Sequence, residues 1–279
     1  MSTDPTNSFT TSQVRPWDKP QTENSIDIKL APNPPSFPMG LTALDIDKRH
    51  GIRIKAFTDN LTQNSVRVHL DAWGDTMLYM ASCNWLEVFA NDREFQHGSV
   101  STMDDHPWNK PQMTTAIKVN FPKAFGAAPT VIVWLNELDL NEKHNWRVKA
   151  TVSDVTSTGF IMHLDTWGDT IMYSATATWI AYPANRPNIM SGSYNIMDVR
   201  AWDQPRAVNQ GNVEFNKALQ MVPRVLSGLN MMDIGCSANM RIKLGMSNVS
   251  KTGMTWNIDA WGDTVLYSAG ASYLAIQEL

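Results

Sequence analysis

Hydrophobic and polar positions alternate along much of this chain with a period of two, the spacing of half-buried strands. Between residues 146 and 152, Val148, Ala150 and Val152 fall on one face, while Arg147, Lys149 and Thr151 fall on the other. Residues 129–135 are a short apolar run opened by a proline, which suits a buried strand. The polar stretch 154–159 predicts a turn, and 159–164 leaves it as the return arm of a hairpin. A longer strand follows, on which Ile171, Tyr173, Ala175, Ala177 and Trp179 are expected to share a face. Two earlier strands are expected near 98–103 and 113–121, and no segment carries a convincing helical period.

The same layout occurs three times. The string Asp-x-Trp-Gly-Asp-Thr stands at 71–76, 165–170 and 259–264, so each copy follows the last by 94 residues. The same offset relates Asp45, Asp139 and Asp233, and also Arg53, Arg147 and Arg241, each followed two residues later by a lysine. Upstream, Trp17, Trp108 and Trp202 each open a Trp-Asp/Asn-x-Pro motif. The repeats cover nearly the whole chain, as 1–92, 93–186 and 187–279. Each has five or six short strands and polar turns, which indicates an all-β, antiparallel sandwich. A unit of this size buries only a modest share of its surface, and the connections near 89–95 and 183–188 are short. Three tandem six-stranded antiparallel β-sandwich domains packed with pseudo-threefold symmetry are therefore expected, in preference to beads on a string.

Composition narrows the functional classes. The formal net charge is -4, and clustered positive charge for nucleic acid or an anionic membrane is missing. No run is long and apolar enough for a bilayer, so membrane insertion is not expected. Residues 1–25 are polar, which predicts a cytoplasmic protein, or one released without a classical signal peptide. The two cysteines, Cys83 and Cys236, fall at non-equivalent places in the repeat and read as a core residue and a loop thiol rather than a disulfide. Asn60 and Asn248 open formal glycosylation sequons that carry little weight without a secretory signal. The six histidines are scattered, and no metal-ligand spacing or nucleophile motif appears, so neither an enzyme nor a metal or cofactor is expected.

The middle copy, from Pro129 through Asp139, Asn145, Arg147, Gly159-Phe160, Trp167-Gly168-Asp169 and Tyr173 to Trp179, resembles the H-type lectin domain of the snail agglutinins and discoidins. The resemblance extends to all three copies. It implies a six-stranded sandwich that assembles in threes, with shallow sites for galactose or N-acetylgalactosamine at the contacts. One chain with three copies would then build internally what those lectins build from three subunits.

Transferred position by position, the resemblance implies binding roles for Arg53, Arg147 and Arg241, for Trp73, Trp167 and Trp261, and for Tyr79, Tyr173 and Tyr267. An asparagine two residues before the arginine is matched by Asn145 and Asn239, whereas the first copy has Gly51. Asp18, Asn109 and Asp203 are the best candidates for the family's N-terminal aspartate. Gly74, Gly168 and Gly262 stand where the snail agglutinin has a histidine, so that contact with sugar is lost and the three sites need not be equivalent.

Trp, Tyr, Arg and Asp form a reasonable set for sugar. An aromatic ring meets the C–H face, the guanidinium fork donates to adjacent hydroxyls, and a carboxylate accepts from them. Each type also has a plainer reading. The glycines permit a backbone twist, the flanking aspartates close the turn, the tyrosines belong to the core, and alternating Arg and Lys are solvated charge. A multivalent glycan-binding protein is the function expected, with glycans or glycoconjugates as partners and further oligomerisation left open. A structural or protein-interaction scaffold that keeps the fold without sugar binding is the alternative.

Overall fold

The computed structural model describes residues 7–30, 35–90, 92 and 94–277; positions 1–6 and 278–279, at the outer ends of the first and third repeats, lie outside them. Six strands occupy each repeat. The first holds β1 (Ser8–Thr10), β2 (Ser25–Lys29), β3 (Met39–Ile46), β4 (Ile52–Asp59), β5 (Ser65–Asp71) and β6 (Leu78–Trp85). The second holds β7 (Gln96–Ser101), β8 (Ala116–Asn120), β9 (Thr130–Leu140), β10 (Trp146–Ser153), β11 (Gly159–Asp165) and β12 (Met172–Tyr182). The third holds β13 (Ile189–Asn195), β14 (Gln210–Glu214), β15 (Arg224–Ile234), β16 (Met240–Ser247), β17 (Gly253–Asp259) and β18 (Leu266–Ile276).

No sheet belongs to one repeat. The three six-stranded antiparallel sheets run β1-β6-β3-β16-β17-β14, β13-β18-β15-β10-β11-β8 and β2-β5-β4-β9-β12-β7. Each joins a three-stranded half from one repeat to a half from another, through β4–β9, β10–β15 and β16–β3. First pairs with second, second with third and third with first, so the chain closes into a ring. Within a repeat, the two halves face each other across an apolar core that includes Leu41, Ile54 and Trp85 in the first copy.

The alternation in β10 appears as expected, with Val148 and Ala150 buried and Lys149 exposed. The hairpin of β10 and β11 pairs Ser153 with Ile161. Its turn needs a left-handed residue, and the equivalent Asn60, Asp154 and Asn248 all have φ near +50° (48, 51 and 51). Short polar side chains tolerate that conformation best after glycine, which gives the two asparagines a conformational role. Cys83 is buried and Cys236 half-buried, and both are free thiols.

One expectation is corrected. Tyr173 does not share the core face of Ala175, Ala177 and Trp179. The register of β12 against β9 shifts between Met172 and Ser174, and this bulge turns the half-buried Tyr173 away from the fully buried alanines.

A second, smaller apolar cluster draws on all three repeats. It includes Leu86 and Val88 of the first, Ile132, Trp134 and Ile180 of the second, and Leu226 and Leu274 of the third. The equivalent strands β3, β9 and β15 all touch one another there, so this cluster lies along the pseudo-threefold axis.

Candidate functional site

Each join between repeats aligns an arginine with an aspartate from the next copy. Arg53 stands opposite Asp139, Arg147 opposite Asp233, and Arg241 opposite Asp45. The Nε–Oδ1 separations are 3.3, 3.2 and 3.4 Å. The other side of each guanidinium is held by the second aspartate of its own loop, with Nη1 donating to Asp75 at 2.5 Å, Asp169 at 2.5 Å and Asp263 at 2.7 Å. Two carboxylates thus fix every arginine at a seam, one from each repeat.

The two aspartates of the Asp-x-Trp-Gly-Asp-Thr string have different tasks. The first is a brace, since Asp71, Asp165 and Asp259 accept the backbone N–H of Asn24, Thr115 and Asn209. The last threonine is another, its hydroxyl donating to the carbonyl of Gly51, Asn145 or Asn239. Between them Gly74, Gly168 and Gly262 adopt φ of +64, +67 and +64°. A Cβ at these positions would lie 3.1, 2.8 and 2.7 Å from Nη1 of the seam arginine. Glycine is therefore required twice, by conformation and by the arginine packed against it. A histidine here would have to take the same left-handed backbone and push against the arginine tip.

Burial separates the two sets of carboxylates electrostatically. Desolvation raises Asp45, Asp139 and Asp233 above the ordinary carboxylate range, against the pull of the facing arginines. The exposed Asp75, Asp169 and Asp263 are lowered, chiefly by their hydrogen bonds from the same arginines. Trp167 and Trp261 also pull Asp233 and Asp45 downward, against the larger effect of burial.

Over the first seam lies an open hollow of about 870 Å³. The first repeat supplies Arg53, Lys55, Trp73, Gly74 and Asp75, and the second supplies Met103, Trp108, Glu137, Asp139, Tyr173 and Ser174. Arginine and loop tryptophan thus meet the tyrosine of the next repeat, Tyr173, and not that of their own, Tyr79. The exposed Trp108 packs edge-on to Tyr173, with ring centroids 6.3 Å apart. Trp17 with Tyr79 and Trp202 with Tyr267 repeat the pairing at 6.2 and 6.3 Å. In the first and third copies a buried arginine pegs the Trp loop down. Arg15 donates to the carbonyls of Leu78 and Tyr79, and Arg200 to those of Leu266 and Tyr267.

The remaining candidates are placed as follows. Asn145 and Asn239 reach across their seams, each accepting a backbone N–H, from Cys236 at 3.1 Å and Lys48 at 3.2 Å. Both therefore brace a join. Asp18, Asn109 and Asp203 are exposed, and Asn109 is not among the residues lining the first hollow, although its neighbour Trp108 is. Two sets of residues at the seams were not singled out from sequence for a site. These are Asp45, Asp139 and Asp233, and the tryptophans Trp17, Trp108 and Trp202. Their strict recurrence was the available signal.

The seams differ in detail. Lys55 pairs with the buried Glu137 at 2.9 Å, whereas Lys149 and Lys243 stand opposite Met231 and Ala43. The hydroxyl of Tyr79 donates to Asp47, that of Tyr173 accepts from Asn141, and Gly235 occupies the corresponding position beside Tyr267.

Comparison with known families settles the kinship of this arrangement. The model of the H-type lectin domain matches residues 32–86, 116–182 and 210–276. The chain belongs to the H-type lectin family. Among curated proteins, this lectin is similar to one described as ATP synthase subunits region ORF 7, from Fuscovulum blasticum, with 35% identity over 65 residues. That match takes in 23% of the chain and 56% of the relative, so the chain spans little more than half of the relative's length. Among solved structures it is similar to recombinant discoidin II of Dictyostelium discoideum, at 17% identity and a TM-score of 0.29, covering 60% of this chain and 79% of that one. Wild-type discoidin II matches at 16% identity and 0.28, covering 56% and 75%.

Proposed function

We propose that this H-type lectin binds terminal sugars of the galactose or N-acetylgalactosamine type at the seams between its repeats, and that it acts by binding and not by catalysis. The observation that carries the reading is the meeting of Arg53 and Trp73 from one repeat with Trp108 and Tyr173 from the next around one hollow. Three aromatic side chains offer faces to the C–H patch of a pyranose, and a guanidinium fixed by two carboxylates is pre-oriented to donate to ring hydroxyls. Fixing the arginine beforehand lowers the ordering cost of binding.

A single site of this open shape is expected to bind at about millimolar strength, roughly 4 kcal/mol. Three on one rigid ring would raise avidity toward clustered glycans by ~10²–10⁴ fold. Glycans or glycoconjugates are the partners this reading implies.

One observation favours a scaffold instead. Both Nη1 and Nε of Arg53 are already engaged by Asp75 and Asp139. A glycan array separates the readings. Binding to terminal galactose-type sugars, abolished in the chain carrying Arg53→Ala, Arg147→Ala and Arg241→Ala with its fold retained, supports the lectin. An array without any hit at high multivalency, together with a discrete protein partner, favours the scaffold. Turnover of a glycoside that survives repurification would refute the non-catalytic assignment.

A further inference from the structure

The seam between the first and second repeats carries another hollow beside the one already described. Strands β4 and β9 pair only from Ile52–Leu140 to Lys55–Glu137 and then part. At that point the register of β9 against β12 shifts and residue 136 is the extra residue of a bulge. The space that opens, about 360 Å³, is lined among others by Phe57, His97, Ser99, Asn136 and Thr178. That is within the range of small-ligand sites, roughly 300–1,000 Å³.

The lining is specific to this seam. The equivalent space between the second and third repeats, about 280 Å³, has Thr151 and Ser191 where Phe57 and His97 stand here. At the last seam Gly245 takes the place of Phe57.

Asn136 is only 9% exposed. Its Nδ2 donates to the carbonyl of Ala56 at 3.4 Å, whereas its Oδ1 is buried without a partner. Buried amide oxygens are normally satisfied, so this acceptor calls for a donor from outside. The Phe57 ring is held by stacking on His69, with centroids 4.5 Å apart, and Lys55 Nζ lies 5.9 Å from its centroid. Burial lowers His97, which leaves it uncharged at neutral pH.

Both hollows lie along one face of β4, where Arg53, Lys55 and Phe57 alternate with the buried Ile54 and Ala56. Four strand residues at ~3.3 Å each separate Arg53 from Phe57 by ~13 Å. That distance suits an oligosaccharide, not a single ring. The Lys55–Glu137 ion pair forms the saddle between the two spaces.

We propose that the first seam is an extended saccharide groove, which seats the terminal sugar at Arg53, Trp73 and Tyr173 and a further neutral sugar of the same glycan between Phe57 and Asn136. The inference rests on the glycan-binding reading above. Asn136 Oδ1 accepts from a hydroxyl or an acetamido N–H, and the Phe57 ring meets the C–H face of the second sugar. The other two seams take the terminal sugar alone.

The test compares galactose with a galactose-terminated tetrasaccharide by calorimetry, on the full chain and on Phe57→Ala. One of the sites should bind the tetrasaccharide about tenfold more tightly than galactose. Phe57→Ala should bring the two affinities together without changing that for galactose, and Phe57→Tyr should restore the difference. The imidazole resonances of His97 in the unsubstituted chain should shift with the tetrasaccharide and not with galactose, a readout that needs no variant to fold. Galactose binding without any tetrasaccharide preference, or a preference that survives Phe57→Ala, overturns the groove and leaves the terminal-sugar reading intact. Failure of both ligands to bind overturns both.

Discussion

The ring of Trp134 fills the space that a side chain on Gly40 would need. A Cβ there would lie 2.6 Å from Cβ of Trp134 and 2.8 Å from its Cγ. Gly228 meets the same indole from the third repeat, at 2.5 Å from Cγ. Positions 40, 134 and 228 are equivalent in the repeat, so one tryptophan occupies the axis and two glycines make room for it. The indole N–H donates to the carbonyl of Ser272 at 3.0 Å, which orients the ring. Trp134→Ala should therefore cost about 3–5 kcal/mol, the range for emptying a large aromatic site. Denaturant unfolding checks this. A loss below about 1 kcal/mol would mean that the axis is not closed around the ring. Gly40→Leu should also destabilise, through overpacking.

Gly168→Ala tests the turn that carries the loop tryptophan. With φ at +67° and a Cβ 2.8 Å from Arg147 Nη1, the substitution should lower stability by about 1–2 kcal/mol and push the guanidinium off Asp169. Gly74→Ala, with a looser 3.1 Å contact, should be the milder of the two. Melting temperatures rank them, and equal effects would leave conformation as the sole cause.

Acid should act on the seams in two stages. Asp45, Asp139 and Asp233 have raised values, so the folded chain takes up these protons before the unfolded one does; they add stability as pH falls toward the ordinary carboxylate range. Asp75, Asp169 and Asp263 have lowered values, and their contribution is lost only below that range. Protonating the first set slackens one of the two grips on each arginine. Glycan binding should accordingly weaken at a higher pH than the fold does. Parallel titrations of binding and of melting temperature from neutral to acid pH check this, and simultaneous loss would count against it.

Because every sheet takes half its strands from each of two repeats, no repeat can unfold while its neighbours stay intact. A single calorimetric transition is expected, with calorimetric and van't Hoff enthalpies in agreement. Separate transitions would contradict the shared sheets.

The repeat, the strands and the hairpin turns could be read from the chain itself, because period-two alternation and a fixed offset are local properties. The pairing of repeats could not. Nothing in the apolar run 129–135 distinguishes Trp134 from an ordinary strand residue until β3, β9 and β15 are brought together. Tyr173 was misjudged for a related reason, since a one-residue bulge reverses facing without altering composition. Of the candidate site, Arg53, Trp73 and Tyr173 were each visible as recurring positions, but which copy of the tyrosine faces which arginine depends on how the repeats pair and could not be read from the chain. Asp139 was visible as a recurring position, yet its role depends on the register of β4 against β9.

Sharing every sheet also governs what happens if a copy is lost. Without the third repeat, β3 and β10 would each forfeit a hydrogen-bonded neighbour at once, since they pair with β16 and β15. The shortened chain would present two raw sheet borders to solvent, and such borders recruit strands from other molecules. Deletion would exchange a closed ring for a fragment whose open borders pair with other copies of the chain.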